Sequence, residues 1–247
     1  IVSRLSGLEK PSVFNLQFAG QIQSKAGSSV IEFAFPKDAF LLKQHILFDT
    51  ILAQVLPTCI GGTSTSGSDS ECILMDTESS FSILDFVVFI ENFLTSSHPE
   101  VTKSDVIDKI LSRFHVISAR TATECILALC RLCDLMKHVR ASLLILDSLT
   151  ACFGLVPKKE LAITQSVFFD LLKHTIDRFS LHCLTFHQLP PSIQDPAQDT
   201  SLPPCYHPTQ RVLFSNTEAP RQELHVSVFE EGKHPLTSRY KRFSKTW

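Results

Sequence analysis

The fold of this chain is decided by the stretch Ser142-Leu-Leu-Ile-Leu-Asp147-Ser148, in which four aliphatic residues end in a carboxylate. A continuous apolar run of this kind is typical of a strand covered on both faces, because a half-exposed strand alternates apolar and polar residues. Similar runs rich in Val, Ile, Leu and Phe occur at residues 29–35, 71–76, 113–118 and 181–187. The sequence therefore predicts five buried strands.

Helical patterns lie between these strands. In residues 121–139 apolar side chains recur every three or four positions, and Thr121 and Glu124 have the spacing of a capping box. The stripe consists of Cys125, Ile126, Leu129, Leu132, Cys133, Met136 and Val139. Residues 161–179 repeat the pattern with Ile163, Val167, Phe168, Leu171, Leu172, Ile176 and Phe179.

Alternation of strands and helices predicts an α/β protein with a mostly parallel, twisted sheet and helices on both faces. Two further strands, at residues 210–215 and 222–230, follow one another without a helix between them. This order predicts that the sheet ends in an antiparallel pair.

Composition limits the class of protein. The chain has 247 residues, of which 44% are hydrophobic and 19% are charged, so a disordered chain, a collagen-like repeat and a coiled coil are excluded. With no long apolar window and no basic start before an apolar stretch, we expect a soluble protein without a signal peptide. The eight cysteines are expected to be reduced, core-filling thiols of a cytosolic or nuclear protein, including Cys130 and Cys133.

Two segments interrupt the pattern of strands and helices. In residues 61–70, nine of ten are Gly, Ser or Thr, which predicts a mobile surface loop that serves as a tether. Residues 190–210 contain six of the thirteen prolines and follow the strand at residues 181–187. Long loops at the carboxyl ends of parallel strands often contact ligands.

Acidic and polar residues follow three of the predicted strands. Asp147 ends one strand, Asp76-Thr77-Glu78 ends a second, and His187-Gln188 ends a third. An aspartate at the carboxyl end of a central parallel strand faces the crevice where ligands bind, and it can hold the water shell of Mg²⁺. It can equally do no more than cap the following turn, so the motif alone leaves both interpretations open.

Taken in order, these motifs resemble the ATPase core of the RecA/Rad51 recombinases over roughly residues 29 to 230. The order is a strand ending in Asp-Thr-Glu-x-x-Phe81, then Ser118-Ala-Arg120 before a helix, then Leu-Leu-Ile-Leu-Asp147-Ser, then a strand followed by Gln188. The small size and weak motifs are similar to the Rad51 paralogues, accessory proteins of homologous recombination. The resemblance implies that Glu78 polarises the attacking water, that Asp147 holds Mg²⁺ and that Gln188 senses the γ-phosphate.

The phosphate-binding loop of that family is missing. Phosphoryl transfer of this kind requires a Gly-rich loop whose backbone amides hold phosphate, followed by a lysine. At that place the sequence reads Ala34-Phe35-Pro36-Lys37-Asp38-Ala39, and no glycine occurs between Gly27 and Gly61. Positive φ angles would cost roughly 1–2 kcal/mol each and the lost lysine bond about 1.5–3 kcal/mol, which weakens ATP binding about a hundredfold or more. Lys37 or Lys43 could supply a cation, but one side chain does not replace a set of amides.

From these observations we expect a non-catalytic Rad51 paralogue in the nucleus. It would have no intrinsic cofactor, and any ATP and Mg²⁺ would belong to a partner at the subunit interface, because nucleotide lies between neighbours in RecA-like assemblies. The expected partners are another Rad51 paralogue, the recombinase filament and, through the complex, single-stranded DNA, with no membrane.

Two alternatives stay open. One is a RecA-like DNA-dependent ATPase with an irregular phosphate loop, which retention of Glu78 and Asp147 favours. The other is an unrelated α/β protein that binds a small ligand in the crevice, although no Gly-x-Ser-x-Gly elbow is present to orient a nucleophile.

The basic C-terminal tail is a candidate DNA-binding segment. No Lys or Arg occurs from residue 179 to 210, so the long loop is a poor DNA clamp. The tail, in contrast, interleaves aromatic and basic residues, a composition that suits single strands. Its candidate DNA-binding residues are Arg239, Lys241, Arg242 and Lys245. The alternative is a solvated end of the chain.

Residues 1–28 form a predicted arm that precedes a core of residues 29–247. Phe14, Leu16 and Phe18 alternate with polar residues, as they do in a strand with one apolar face. Such a strand can dock on the sheet edge of a partner with the same fold. The alternative is that the arm packs on its own core.

Overall fold

The computed structural model describes residues 29–36, 39–189, 208–216, 223–230 and 236–241, with side chains up to residue 212. The strands are β1 (Ser29–Phe35), β2 (Cys59–Ile60), β3 (Thr63–Ser64), β4 (Glu71–Asp76), β5 (Phe114–Ser118), β6 (Ala141–Asp147), β7 (His182–Gln188), β8 (Gln210–Asn216), β9 (Glu223–Glu230) and β10 (Leu236–Lys241). The helices are α1 (Phe40–Val55), α2 (Ile83–Ser97), α3 (Lys103–Leu111), α4 (Ala122–Leu135) and α5 (Lys158–Phe179), with a short 3₁₀ helix at Ala151–Phe153.

Eight of these strands form one sheet in the order β10-β9-β8-β1-β7-β6-β4-β5. The six strands from β8 to β5 run parallel, whereas β9 and β10 are antiparallel to their neighbours. β2 and β3 form a separate two-stranded hairpin. The protein is therefore an α/β protein with a mostly parallel sheet.

Helices cover both faces of the parallel strands. On one face, α1, α2 and α3 pack against the sheet, and on the other face α4 and α5 do so. The first layer contains a group of rings that we call the aromatic cluster: Phe48, Phe81, Phe86, Phe89 and Phe114. Its neighbouring ring centroids lie 5.2–5.9 Å apart at tilted or edge-on angles, the arrangement that aromatic quadrupoles favour.

The seven strands predicted between residues 29 and 230 are confirmed, each to within one residue at its ends. The prediction that residues 113–118 are covered on both faces is wrong, because β5 lies at the edge of the sheet and Val116 is 46% exposed. Residues 143–146 of β6 are at most 2% exposed, because a helix layer covers each face, and this explains the continuous apolar run. The predicted antiparallel end of the sheet is confirmed by the pairing of β8 with β9. β10 extends it by one further strand.

Residues 61–70 lie at the surface as predicted, and most of them are exposed. The prediction that they form a mobile tether is wrong, because the segment contains β3 and is hydrogen-bonded to the end of α1. Gly61 and Gly62 form the turn between β2 and β3 with φ angles of +56° and +82°, which glycine adopts without strain. The amides of residues 68–70 donate hydrogen bonds to carbonyls at the end of α1. At Gly67, a Cβ would lie 2.1 Å from the carbonyl oxygen of the residue that follows α1. The glycines here serve close packing, which composition does not distinguish from flexibility.

Two side chains of the stripe predicted for α5 do not enter the core. Ile163 is 70% exposed and Val167 is 47% exposed. Position 163 lies about 140° around α5 from the buried Phe168, and position 167 about 100°. Both side chains therefore face away from the sheet, whereas Leu161, on the same face as Phe168, packs against the core.

The prediction that all cysteines fill the core is wrong for part of the set. Buried thiols are those of Cys72, Cys125, Cys152 and Cys183. Cys59 and Cys130 are exposed and Cys133 is half-buried. Position 130 lies about 140° around α4 from position 125, so it faces away from the sheet.

The capping box predicted for α4 is confirmed. Thr121 Oγ1 accepts a hydrogen bond from the Glu124 N–H at 3.2 Å, and the Glu124 carboxylate accepts one from the Thr121 N–H at 3.1 Å. Thr102 precedes α3 in the same way but makes no side-chain bond to the helix. The two threonines therefore differ in what they contribute to their helices.

Candidate functional site

The carboxyl ends of β4 and β6 define a crevice in the sheet. The two strands are neighbours, and Asp76 is the register partner of Asp147. The chain leaves β4 toward the layer that holds α2, but it leaves β6 toward the opposite layer that holds α5. Ligands of parallel α/β sheets bind where successive connections turn to opposite faces. The topology thus brings together the acids that end these two strands.

Asp76 organises the turn after β4. It is 5% exposed, and its Oδ1 accepts hydrogen bonds from the N–H groups of Glu78 and Ser80, both at 3.2 Å. Its Oδ2 accepts a bond from the Phe81 N–H at 3.1 Å. These bonds satisfy a buried carboxylate and fix the direction in which Glu78 leaves the strand. Both oxygens of Asp76 are therefore committed to the backbone.

A second set of hydrogen bonds joins the end of β4 to the end of β6. The Thr77 N–H donates to the Asp147 carbonyl at 2.6 Å. The Thr77 hydroxyl donates to the Ser148 carbonyl at 2.6 Å and accepts a bond from the Ser148 N–H at 2.8 Å. The Asp147–Ser148 peptide bond is cis. The backbone thus holds the two strand ends, and the acids they carry, in a fixed relation.

Lys43 of α1 provides the cation of the site. Its Nζ lies 2.5 Å from Asp147 Oδ1 and 2.9 Å from Glu78 Oε2. The side chain of Lys43 is 11% exposed, that of Asp147 is 2% exposed and that of Glu78 is 26% exposed. Phe48, five residues further along α1, contacts the rings of Phe81 and Phe86 and holds the helix in place. We call this mostly buried group of three charges the Lys43 triad.

Burial and charge act in opposite directions on the triad. Burial raises the pKa of Asp147 to about 6, although the Lys43 ammonium opposes the rise. Burial would lower the pKa of Lys43, but the charges of Asp147 and Glu78 raise it above its ordinary value. Partial burial would raise the pKa of Glu78, but the neighbouring Ser148 side chain and Lys43 hold it below its usual range. At neutral pH the triad carries one positive and two negative charges, and Glu78 is a weak base.

Buried apolar side chains occupy the start of residues 34–39, the segment in which the resemblance places the phosphate-binding loop. Ala34 and Phe35 are buried at the end of β1, and the Phe35 ring stacks on Phe186 of β7 with centroids 5.8 Å apart. The Ala39 N–H donates a hydrogen bond to the Pro36 carbonyl at 3.0 Å. That amide is therefore not available to a phosphate.

A small cleft opens beside the triad. It has a volume of about 60 Å³ and is lined by Phe35, Pro36, Ala39, Phe40, Lys43, Glu78, His187 and Gln188. Gln188 is exposed at the end of β7, and its register partner is Phe35. Pockets for drug-sized ligands measure about 300–1,000 Å³. As lined by the described residues, the cleft is therefore smaller than the pockets that hold drug-sized ligands.

Mg²⁺ and ATP do not fit the described residues as they are arranged. The Lys43 ammonium lies 2.5 Å from the Asp147 oxygen to which the resemblance assigns Mg²⁺, so the two cations would occupy the same position. Across the described ranges, no group of three or more His, Cys, Asp or Glu side chains is placed to hold a metal ion. Both acids are instead paired with a lysine of the same chain.

The remaining predicted site residues lie in another strand or outside the described residues. Arg239 and Lys241 belong to β10, at the edge of the sheet opposite β5. Outside the described residues lie residues 190–207 of the long loop and Phe14, Leu16, Phe18, Lys37, Asp38, Arg242 and Lys245. In the part of the chain that the structure describes, no helix is both long and apolar enough to cross a membrane.

Sequence reasoning missed the central position of Lys43. The pattern shows only a cation near a missing phosphate loop, whereas the structure places its ammonium between both acids. One signal was available, since Lys43 stands among Leu41, Leu42, Ile46 and Leu47 on a largely apolar helix. A lysine is rarely buried unless it is paired, so such a position predicts an acidic partner on a neighbouring element.

These features define an α/β protein that has a parallel sheet with helices on both faces and a charged crevice between two central strands. A scan against models of known protein families gives no match to the chain. A search among curated proteins likewise gives no significant match.

Proposed function

We propose that this chain is a RecA-like protein of the Rad51 paralogue group that acts as a non-hydrolysing interaction subunit. The observation that carries the proposal is the Lys43 triad. Glu78 and Asp147 stand at the strand ends where a RecA-like ATPase needs acids, yet a lysine of the same chain is paired with both. A site in which both acids are present but paired with a lysine of the same chain supports descent from an ATPase and loss of its activity.

Hydrolysis of ATP makes two demands on such a site. An acid must be free to position water or metal, and backbone amides must hold the phosphates. Glu78 is held in an ion pair and its pKa is lowered, while Phe35 is packed where the phosphate loop would begin. Under this proposal the acids take no part in hydrolysis, and the biological role comes from contacts with other molecules.

The proposed partners follow from the resemblance. The chain forms a heterodimer with another Rad51 paralogue and acts on recombinase filaments on single-stranded DNA during homologous recombination repair in the nucleus. ATP and Mg²⁺ at the shared interface belong to the partner. Phe14, Leu16 and Phe18 of the arm are the proposed partner contacts, and the basic tail is the proposed DNA contact.

Equilibrium titration with a fluorescent ATP analogue, with and without Mg²⁺ and single-stranded DNA, tests the loss of nucleotide binding. We expect no saturation at micromolar concentrations and no steady hydrolysis by the purified chain. Micromolar binding with turnover that Glu78→Gln abolishes would overturn the proposal. That result would support the DNA-dependent ATPase instead, for which the retained acids are the favouring observation.

Affinity purification of the tagged chain from its native cells, followed by mass spectrometry, tests the interaction role. Enrichment of a recombinase-like ATPase in near-equal amount supports it. Combined Phe14→Ser and Phe18→Ser substitutions should abolish this pairing, whereas Asn15→Ser and Gln17→Ser on the other face of the same predicted strand should preserve it. A monomer that enriches no such protein refutes the interaction role.

The salt dependence of DNA binding tests the tail. Replacing three basic residues, Arg239, Lys241 and Arg242, with Ser should lower affinity and flatten the slope of log affinity against log salt by about two to three. The matched control removes three exposed lysines elsewhere: Lys109, Lys158 and Lys159. Equal slopes in the two variants would show that the basic residues of the tail do not contact DNA.

A further inference from the structure

The acids of the crevice are both paired with one cation that is covalently part of the chain. Lys43 Nζ lies 2.5 Å from Asp147 Oδ1 and 2.9 Å from Glu78 Oε2. Divalent cations bind carboxylate oxygens at about 2.0–2.1 Å for Mg²⁺ and about 2.3–2.6 Å for Ca²⁺. The ammonium therefore lies close to the position of a divalent ion shared by the two carboxylates.

We propose that Lys43 is a tethered counter-ion that stands in for a divalent cation, and that its removal opens a metal site formed by Asp147 and Glu78. The wild-type chain is closed to hard cations at this crevice. The ligand class of the opened site is a hard divalent ion such as Mg²⁺ or Mn²⁺, because both protein ligands are carboxylates.

The charge balance of the triad favours this replacement. One ammonium faces two carboxylates, so the triad keeps a net charge of −1, whereas a divalent ion would neutralise it. Asp76 is a further acid beside the triad, so it adds no positive charge, and its own oxygens accept bonds from backbone amides. Two acids without Lys43 would form an uncompensated, mostly buried pair that attracts a cation.

Space for the ion and its water comes from the lysine itself. Lys43 and Glu78 both line the small cleft of about 60 Å³, so truncation of Lys43 to alanine joins the volume of its side chain to that cleft. Mg²⁺ keeps several waters and is commonly held by one or two protein carboxylates. Lys43→Met removes the charge but fills nearly the same volume, so it leaves no room for a hydrated ion.

The inference goes beyond the proposed function and does not depend on it. It rests on the contacts of Lys43 and would stand if the chain had no role in recombination. Conversely, partners of the chain could be found as proposed above even if no metal entered the opened crevice.

The experiment compares thermal unfolding midpoints of the full chain, followed by far-UV circular dichroism. Wild type, Lys43→Ala, Lys43→Met and the double variant Lys43→Ala with Asp147→Asn are melted in MgCl₂ or MnCl₂ and in NaCl of equal ionic strength. For a dissociation constant tenfold below the metal concentration, Lys43→Ala should melt about 3–6 °C higher with metal. The other three proteins should show no such rise.

Each other result overturns the proposal. If neither metal raises the unfolding midpoint of Lys43→Ala, no site opens. An equal rise in wild type or in the double variant places the metal elsewhere. If Lys43→Ala is unfolded without metal, refolding from urea with and without Mn²⁺ replaces the melt. Recovery only with metal then supports the proposal, and recovery in neither condition overturns it.

Discussion

The buried carboxylate of Asp147 costs the folded chain stability at neutral pH, and Asp147→Asn should recover it. Burial raises the pKa of this group to about 6 from an ordinary 3.8, with the attraction of Lys43 already included. Compared with the unfolded chain, the folded state therefore favours the protonated, neutral form of Asp147, although the group is mostly ionised at pH 7. Asparagine has nearly the shape of that neutral form at every pH, and Lys43 keeps its contact with Glu78 at 2.9 Å.

The expected magnitude follows from the shift in pKa. A group whose pKa is raised on folding contributes stability that is present below its unfolded pKa and is lost as pH rises through its folded pKa. The window here is roughly pH 4 to 6, and a shift of this size corresponds to about 3 kcal/mol. Asp147→Asn should therefore match wild type near pH 4 and exceed it by up to about 3 kcal/mol at pH 8, or roughly 6–12 °C in midpoint.

Urea unfolding followed by circular dichroism at pH 4, 6 and 8 measures the difference between the two proteins. Asp134→Asn is the matched control, because Asp134 is exposed and its pKa is lowered by its hydrogen bond to Lys137. That variant should lose a small amount of stability above pH 4, a change of opposite sign. If Asp147→Asn is less stable than wild type at pH 8 by more than about 1 kcal/mol, the attraction of Lys43 outweighs burial and the reasoning is wrong.

Removal of the other partner should have the opposite effect. Lys43→Met leaves Asp147 buried without its counter-charge, and breaking a buried pair from one side costs about 3–5 kcal/mol. Lys137→Met is the control, since its ion pair with Asp134 is 68% and 76% exposed and exposed pairs contribute about 0–1 kcal/mol. Equal stabilities of the two variants in urea unfolding would contradict the assignment of the Lys43 triad as a buried ion-pair group.

Further predictions concern close packing and helix capping. Gly67→Ala should destabilise the chain by about 1–3 kcal/mol, because the added Cβ would meet a backbone oxygen at 2.1 Å; Gly154→Ala, whose nearest atom lies at 3.4 Å, should stay within about 0.5 kcal/mol. Thr121→Ala should cost about 1 kcal/mol by removing the cap of α4, whereas Thr102→Ala removes no cap bond and should change little. Chemical denaturation measures all four, and equal effects within either pair would refute the corresponding contact.

The central strands and their ends could be predicted from the sequence because both faces of these strands are covered, whereas β5 at the edge of the sheet is only partly buried. Leu143 to Leu146 of β6 need no alternation, so the apolar run itself marks the element. The acids that end β4 and β6 were visible because each directly follows an apolar run. The order of the strands was not visible, since it depends on which layer each crossover enters, and that order makes neighbours of Asp76 and Asp147.

The parts of the site that the sequence did not reveal depend on distances across the chain. Lys43 reaches Glu78 and Asp147 only because α1 lies over the crevice, 35 residues before Glu78 in the sequence. Ile163 looked like a core residue because it is apolar and spaced like its neighbours in the stripe, but it lies about 140° around the helix from the buried Phe168. Gly67 looked flexible because composition does not record what lies within van der Waals contact.

Ring packing makes the orientation of α1 independent of any bound molecule. Phe48, Phe81 and Phe86 lock this helix over the strand ends, and the acids below it are already positioned. A designer who grafted a Gly-rich loop in place of residues 34–39 would start from a finished scaffold. The obstacle left to remove would be a single amine, that of Lys43.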